Sequence, residues 1–411
     1  MKRSALALAC IATIAVAATG CAAEDSSGTT NITFAHWGNN QEAATLKAMV
    51  AAFEDEHPDI DVELNWIQSD YEQKLQTSIA GGQAPTISQM SNTSLPGFAA
   101  AYQTVEVDPS DYYSENFAAS MKYDGEYKAI PFVAKPKVMA VNGALFDAKG
   151  LERPAADAPM TTDEFAATAE KLTEGAAPDK IYGSARLWYN GWLNAMGGSF
   201  YSADGTSCLL DEPVAADTAD FIIDAQAPDG YAPTQLDAEG QDMFDWLSIG
   251  RLAMQPDFGP WDIAKLAALD DADIELVPVP GGGAPMEING LGISADASGA
   301  ELEAALTFAE FVSTAPEAQD LLTSAESSLG VPVVEESIDS FLAAAPELNL
   351  NAFIVGTDQS TISAAVAKDP QIRAEFDDAI YSRTALGSGS EDPAVVLAEF
   401  NETCQSILDG E

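Results

Sequence analysis

Two tryptophan-containing segments of this sequence carry the side chains best suited to contact a ligand. One is Asp257-Phe258-Gly259-Pro260-Trp261, where the glycine and the proline predict an irregular stretch that exposes the indole of Trp261. Asp257 could accept hydrogen bonds from the same ligand, although a lone carboxylate there could equally be a turn residue. We take Trp261 as the first binding candidate, against the alternative that it is a core tryptophan.

The second segment, residues 186–192 (RLWYNGW), is the densest aromatic cluster of the chain. Trp188 and Tyr189, with Arg186 beside them, are predicted to contact ligand, whereas Trp192 lies at helical spacing from Trp188 and is predicted to be core. Aromatic faces beside polar groups fit a ligand that has both apolar C–H faces and hydroxyls. The two segments therefore favour a carbohydrate.

The elements that must position these side chains alternate between strand-like and helix-like patterns, which predicts an α/β fold. Strands are expected over 32–37, 60–66 and 85–90, with helices over 41–57 and 70–80 between them. This order builds a parallel sheet, and ligands collect at the carboxyl ends of its strands.

The loops at those strand ends hold polar and aromatic candidates for ligand contact, namely Trp37, Asn39, Asn40, Gln41, Ser91 and Asn92. The alternative is that Trp37 plugs its own lobe and that the two asparagines form a turn.

The composition argues against several functional classes. The formal net charge of −47 disfavours nucleic acid and anionic ligands, because phosphate contacts need Lys and Arg. Only two histidines, His36 and His57, are present, and there is no serine elbow or metal motif, so we predict no metal and no cofactor. A glycosidase needs only two carboxylates, and with 65 acidic residues composition alone does not exclude one.

The N-terminus predicts export. Residues 1–20 combine a cationic start with a short apolar core, which is typical of a signal peptide. Ala18-Thr19-Gly20-Cys21 resembles the bacterial lipobox, in which the cysteine receives a lipid, although Ala18 stands where leucine is usual. Residues 21–30 would then be a tether, and the alternative is a plain secretory signal with a chance cysteine.

Of the four cysteines, Cys10 lies in the signal peptide and Cys21 in the lipobox, so Cys208 and Cys404 remain. In an exported protein an even pair favours a disulfide, and the alternative is two buried thiols.

A series of landmarks runs through the chain in a specific order: His57-Pro58-Asp59-Ile60, Gly81-Gly82, Ile130-Pro131-Phe132, Asn142, Gly197-Gly198, residues 249–254, Gly259-Pro260-Trp261, Gly290-Leu291-Gly292 and Leu329-Gly330-Val331-Pro332. With them the sequence resembles the extracellular solute-binding proteins of carbohydrate ABC importers over its whole mature length. It departs from many relatives at residues 86–88 and 138–142, both near the expected cleft.

The resemblance implies a two-lobed periplasmic-binding-protein-like fold (type II), with hinged lobes that close on a ligand. Lobe one would hold residues 31–131 and 288–330, and lobe two residues 134–283 and 334–411. Four candidates fall at the crossings, where they would contact ligand or serve hinge geometry: Phe132, Lys135, Glu287 and Asn289.

The resemblance also implies that the protein is not an enzyme. It implies a monomer that captures a sugar or oligosaccharide outside the cytoplasmic membrane and delivers it to an ABC permease. Relatives place sugar-contacting aromatics where Trp261, Trp188 and Tyr189 stand, and these three disfavour the rival of a polyamine or another cationic solute.

Overall fold

The computed structural model describes residues 28–176, 178–269, 272–324, 327 and 329–410. The signal segment, Cys21 and most of the tether lie outside these residues. The chain is a mixed α/β protein, as predicted, with a larger and a smaller principal sheet.

The strands are β1 (Thr30–His36), β2 (Ile60–Trp66), β3 (Ile87–Ser91), β4 (Lys122–Tyr123), β5 (Glu126–Tyr127), β6 (Ile130–Lys135), β7 (Val138–Asn142), β8 (Met254–Phe258), β9 (Ile274–Val277), β10 (Pro285–Ile293) and β11 (Thr361–Ile362). The helices are α1 (Asn40–Glu56), α2 (Tyr71–Ala80), α3 (Leu95–Phe98), α4 (Glu115–Ala119), α5 (Gly143–Lys149), α6 (Thr162–Leu172), α7 (Tyr189–Ala195), α8 (Pro213–Ala225), α9 (Gln235–Ala238), α10 (Met243–Ser248), α11 (Ile263–Ala267), α12 (Ala300–Thr314), α13 (Pro316–Thr323), α14 (Ile338–Ala344), α15 (Asn351–Gln359), α16 (Asp369–Arg383) and α17 (Pro393–Asp409). The predicted β-α-β-α-β start is confirmed, with every boundary within two residues of the expected one.

The first lobe is built on the larger sheet. β1 runs parallel to β2 and β3, and β10 lies antiparallel between β3 and β6. α1 and α12 pack on this sheet through Phe34, Phe53 and Phe308, whose rings meet edge to face.

The second lobe is built on a three-stranded sheet in which β7 lies antiparallel between β8 and β9. Helices α6, α7, α8, α16 and α17 supply its core, which includes Phe165, Trp192 and Phe376. The predicted core role of Trp192 is confirmed, because this side chain is 4% exposed and its ring lies 4.8 Å from Phe165.

The two sheets are joined by short links. β6 leads into β7 through Pro136 and Lys137, and β9 leads into β10 through residues 278–284. A third passage follows Val331, whose backbone exchanges hydrogen bonds with Ala134. β6 therefore places residues 134 and 135, which were predicted for lobe two, in the sheet of the first lobe. β10 likewise adds residues 285–287 to it, and the full extent of each lobe stays a prediction.

Cys208 and Cys404 are joined by a disulfide, with Cα atoms 6.2 Å apart. The bridge attaches the loop after Tyr201 to α17, and α17 also accepts hydrogen bonds from the backbone NH groups of Cys208 and Leu210. Both cysteines lie in the core of the second lobe.

None of the helices that the structure describes has the length and apolar character needed to cross a membrane.

Candidate ligand-binding cleft

A cleft of about 1360 Å³ lies where the second lobe meets the links to the first. Most of its wall comes from the second lobe. Thr93 reaches the cleft from the loop after β3, and Glu287 reaches it from β10 of the first-lobe sheet. The cleft brings together seven of the predicted site residues: Lys135, Arg186, Trp188, Tyr189, Asp257, Trp261 and Glu287.

Trp188 is the exposed aromatic surface of the cleft. It sits in extended backbone just before α7, and 51% of its surface is accessible. The Arg186 guanidinium lies 3.9 Å from the centre of the Trp188 ring. The indole Nε1 of Trp188 donates to Asp257 Oδ2 at 3.1 Å. The indole is thus fixed in orientation while much of its surface stays available to a ligand.

Asp257, near the end of β8, offers an acceptor that the protein does not use. Oδ1 is buried, and no described residue donates a hydrogen bond to it. Burial raises the pKa of this carboxyl, and the positive charge of Lys137 opposes that shift. A buried acceptor without a donor is costly, so a ligand hydroxyl that reached Oδ1 would gain a hydrogen bond.

Trp261 is partly buried in the cleft wall, in the 3-10 helix Pro260–Asp262. A Cβ on Gly259 would overlap its six-membered ring, so the glycine allows this close contact. The Lys137 ammonium lies 3.6 Å from the ring centre. The indole is therefore not an open platform in this conformation, in contrast to the exposed ring that the sequence predicts.

Lys135 lines the cleft but is already paired. Its Nζ lies 3.2 Å from Glu42 Oε1, and both side chains are at most 9% exposed. The other oxygen of Glu42 accepts from the backbone NH of Asn39 at 2.7 Å and closes the capping box of α1. Lys135 thus joins the end of β6 to the start of α1.

A second arm of the cleft carries polar residues that sequence reasoning missed. Arg373 Nε donates to Asp369 Oδ1 at 2.9 Å, and Asp369 also accepts from the Tyr201 hydroxyl at 2.7 Å. Arg373 also bonds Asn190 and lies 3.8 Å from the ring centre of Phe200. No local pattern marks this group, because its members are up to 183 residues apart.

Tyr189, Phe132 and Asn289 are among the predicted site residues that the fold buries. Tyr189 borders the cleft but is 3% exposed, and its hydroxyl donates to the Ala215 carbonyl. Phe132 is fully buried in the first-lobe core, and Asn289 is fully buried within β10. We correct these three to supporting positions, because covered side chains cannot reach a ligand in this conformation.

The loop after β1 does not line the cleft. Trp37 packs edge-on against Tyr71, with ring centres 4.9 Å apart. This placement agrees with the alternative prediction, in which Trp37 plugs its own lobe. Asn39 caps α1, and its Oδ1 accepts from two backbone NH groups of the first turn. Asn40 and Gln41 are exposed in that turn.

The loop after β3 contributes a different residue from those predicted. The Ser91 hydroxyl is held by hydroxyls of Thr93 and Ser94, each 2.9 Å away. Asn92 donates to the Ser363 carbonyl and accepts from the backbone NH of Ile288. Asn92 therefore connects the residue after β11 to β10. Of these three residues of the segment 91–93, only Thr93 lines the cleft.

No group of three or more His, Cys, Asp and Glu side chains in the described part of the chain is placed to hold a metal ion.

The model of the bacterial extracellular solute-binding protein family matches residues 48–349. Among curated proteins no significant match is found. The fold is similar to that of many solved structures.

An ABC substrate-binding protein from Listeria monocytogenes, in complex with cycloalternan, is 24% identical with a TM-score of 0.78, over 93% of this chain and 99% of that chain. The GacH receptor of Streptomyces glaucescens, solved unliganded and with acarbose, is 20% identical with a TM-score of 0.75, over 93% and 99%. UgpB from Mycobacterium tuberculosis, in complex with glycerophosphocholine, is 20% identical with a TM-score of 0.77, over 93% and 99%. At these identities the likeness establishes the fold.

Proposed function

The chain belongs to the bacterial extracellular solute-binding protein family, and from that premise we propose that it captures a sugar or oligosaccharide for an ABC importer. The observation that carries the proposal is the exposed Trp188 ring, held by Arg186 and Asp257 at the wall of the cleft. An open indole stacks on the C–H face of a sugar ring, and Asp257 accepts from the sugar hydroxyls when the cleft rearranges around the ligand and uncovers Oδ1. Structures of similar fold with cycloalternan and acarbose support this ligand class.

The charges of the cleft disfavour a cationic solute. Four of the chain's 18 Lys and Arg residues line it, Lys135, Lys137, Arg186 and Arg373, beside four of its 65 acidic residues, Asp257, Glu287, Asp369 and Asp377. The cleft is therefore balanced in charge inside a strongly acidic protein. A polyamine would gain little there, whereas a neutral ligand is bound through hydrogen bonds and stacking.

Binding by closure of the two lobes completes the proposal. The first lobe contributes little to the cleft wall in this conformation, so hinge motion would bring more of it against the ligand. The closed monomer would then present its ligand to the permease without chemical change. In this proposal Asp257 and Glu287 bind the ligand and do not catalyse its hydrolysis.

A ligand screen tests the function. Purified protein is heated with maltose, maltotriose, cycloalternan, several monosaccharides and spermidine, because a ligand that binds only the folded state raises the melting temperature. At 100 times its Kd, a ligand stabilises the fold by about 2.7 kcal/mol. We expect a shift with at least one saccharide and none with spermidine. A response to spermidine alone would overturn the carbohydrate assignment.

We further propose that Cys21 is lipidated after removal of residues 1–20 and anchors the protein to the outer face of the cytoplasmic membrane. A single acyl chain holds a protein weakly, whereas the diacylglyceryl group supplies two chains. Cell fractionation of the wild type and of Cys21→Ser tests this proposal. The wild type should sediment with membranes, and the variant should appear in the medium or periplasm; equal membrane recovery of both would refute the anchor.

A further inference from the structure

Lys137 is a cleft residue that the sequence pattern did not single out. It lies on the two-residue link between β6 and β7, where the chain passes from one sheet to the other. Its side chain is partly exposed to the cleft, and its ammonium lies 3.6 Å from the centre of the Trp261 ring. Among the described residues, none forms a hydrogen bond or an ion pair with its Nζ.

Two of the other three cations of the cleft differ from Lys137 in this respect. Lys135 is paired with Glu42 at 3.2 Å, and Arg373 is paired with Asp369 at 2.9 Å. The third, Arg186, resembles Lys137, because it lies against an indole ring, that of Trp188. An ammonium that reaches into a ligand cleft without an acceptor is placed to donate to a ligand.

We propose that the Lys137 ammonium covers the Trp261 ring in the empty cleft and, when a sugar enters, moves off the ring and donates hydrogen bonds to the sugar's hydroxyls. The proposal rests on the proposed carbohydrate function and assigns a specificity-determining residue to it. Trp261 then has two successive partners, the ammonium in the empty protein and the C–H face of the sugar in the complex. Asp257 supplies the matching acceptor, because its Oδ1 is buried without a donor and becomes available when the cleft rearranges around the sugar.

The ligand class follows from this pair. A sugar offers neighbouring hydroxyls that can accept from Lys137 and donate to Asp257 at the same time. A protonated polyamine has no acceptor for Lys137 and meets its like charge, so Lys137 selects against such solutes.

The proposal predicts that binding depends on pH. The charged groups that face Lys137 are Asp257 of β8, Glu287 of β10, Lys135 of β6 and Asp262 beside Trp261. Burial lowers the pKa of Lys137 to about 8, while Asp257 and Glu287 oppose the shift. The amine is therefore mostly protonated at pH 7 and loses its charge progressively above pH 8.

The test uses the saccharide that gives the largest thermal shift in the ligand screen, titrated by calorimetry at pH 7.0 and pH 9.5. If binding needs the protonated amine, the wild-type Kd rises about 30-fold between these values for a pKa near 8. Lys137→Met should bind at least about tenfold more weakly at pH 7.0, with a flat profile. Lys149→Met is the matched control, because Lys149 is ion-paired with Glu174 and does not line the cleft. It should keep both the wild-type affinity and the pH profile.

A second measurement needs no ligand. The fluorescence difference between the wild type and Trp261→Phe, recorded from pH 6.5 to 9.5, should show a transition near pH 8 that Lys137→Met removes. Circular dichroism and melting of each variant establish that it is folded.

The results separate the two proposals. Wild-type affinity in Lys137→Met, or an unchanged wild-type Kd at pH 9.5, overturns the role of Lys137 while saccharide binding stands. Absence of saccharide binding by the wild type overturns the proposed function and this inference together.

Discussion

Replacing Trp188 by alanine should weaken saccharide binding without unfolding the protein. Trp188 is 51% exposed at the wall of the cleft. A tryptophan side chain presents up to about 250 Å², so roughly 125 Å² is open here. If a sugar ring covers half of that area, the lost contact is worth about 1.5 kcal/mol at ~25 cal/mol per Å². The Kd should therefore rise about tenfold, and up to about 100-fold if Asp257 also loses its orientation.

The effect on folding should be small, for a reason visible in the structure. The indole is half exposed and makes one hydrogen bond, to Asp257 Oδ2. Loss of such a bond costs about 1 kcal/mol. We therefore expect the unfolding free energy of the empty protein to fall by no more than about 1 kcal/mol.

Tyr189 provides a matched control at the next position in the chain. It is 3% exposed, and its hydroxyl donates to the Ala215 carbonyl. Tyr189→Phe removes this buried hydrogen bond and should cost about 1 kcal/mol of stability. Its saccharide Kd should stay within about twofold of the wild-type value, a difference of less than about 0.5 kcal/mol.

Isothermal titration calorimetry of the three proteins with the screened saccharide measures Kd, and urea unfolding of the empty proteins measures stability. The reasoning would be refuted by a Trp188→Ala protein with the wild-type Kd, or by one that loses several kcal/mol of stability. The second outcome would mean that Trp188 is part of the core.

Three other predictions follow from the same structure. Replacing Cys208 and Cys404 together by alanine opens a loop of 196 residues. The entropy of loop closure gives about 5 kcal/mol, and losses measured on removing native disulfides are about 2–5 kcal/mol. The unfolding free energy measured in urea should therefore fall by about 2–5 kcal/mol, and an unchanged midpoint would contradict this. Asp257→Asn removes a charged acceptor worth about 1.5–3 kcal/mol and should raise the saccharide Kd at least about tenfold by calorimetry; Asp378→Asn, outside the cleft, should not. Lys137→Met should stabilise the ligand-free protein at pH 7. The pKa of Lys137 is lowered to about 8 in the folded protein, so the charged amine destabilises the fold below that pH. This destabilisation disappears as the pH rises toward 10.5. The pKa shift corresponds to at most ~3 kcal/mol of stability, and the lost contact with Trp261 offsets about 1–2 kcal/mol of it. The gain in unfolding free energy, measured in urea, should become smaller by about pH 10.

The sequence by itself determined what depends on neighbouring residues. The five opening elements, the α/β class and the core position of Trp192 follow from local periodicity, strand length and turn residues, whereas the two lobes and the cleft position of Trp188 follow from the family resemblance. The family landmarks are also local, because each is a short run that fits one turn or link of the fold.

Only the tertiary structure decided which side chains meet in the cleft. Trp188 and Asp257 are 69 residues apart, and Lys135 and Glu42 are 93 residues apart. The loop after β1 was expected at the cleft, but Asn39 is used in the cap of α1 and Trp37 in packing against Tyr71. Trp261 was expected to be open and lies under Lys137. Local sequence patterns describe how a segment folds, whereas the surroundings of a side chain are set by segments that are distant in the chain and close in space.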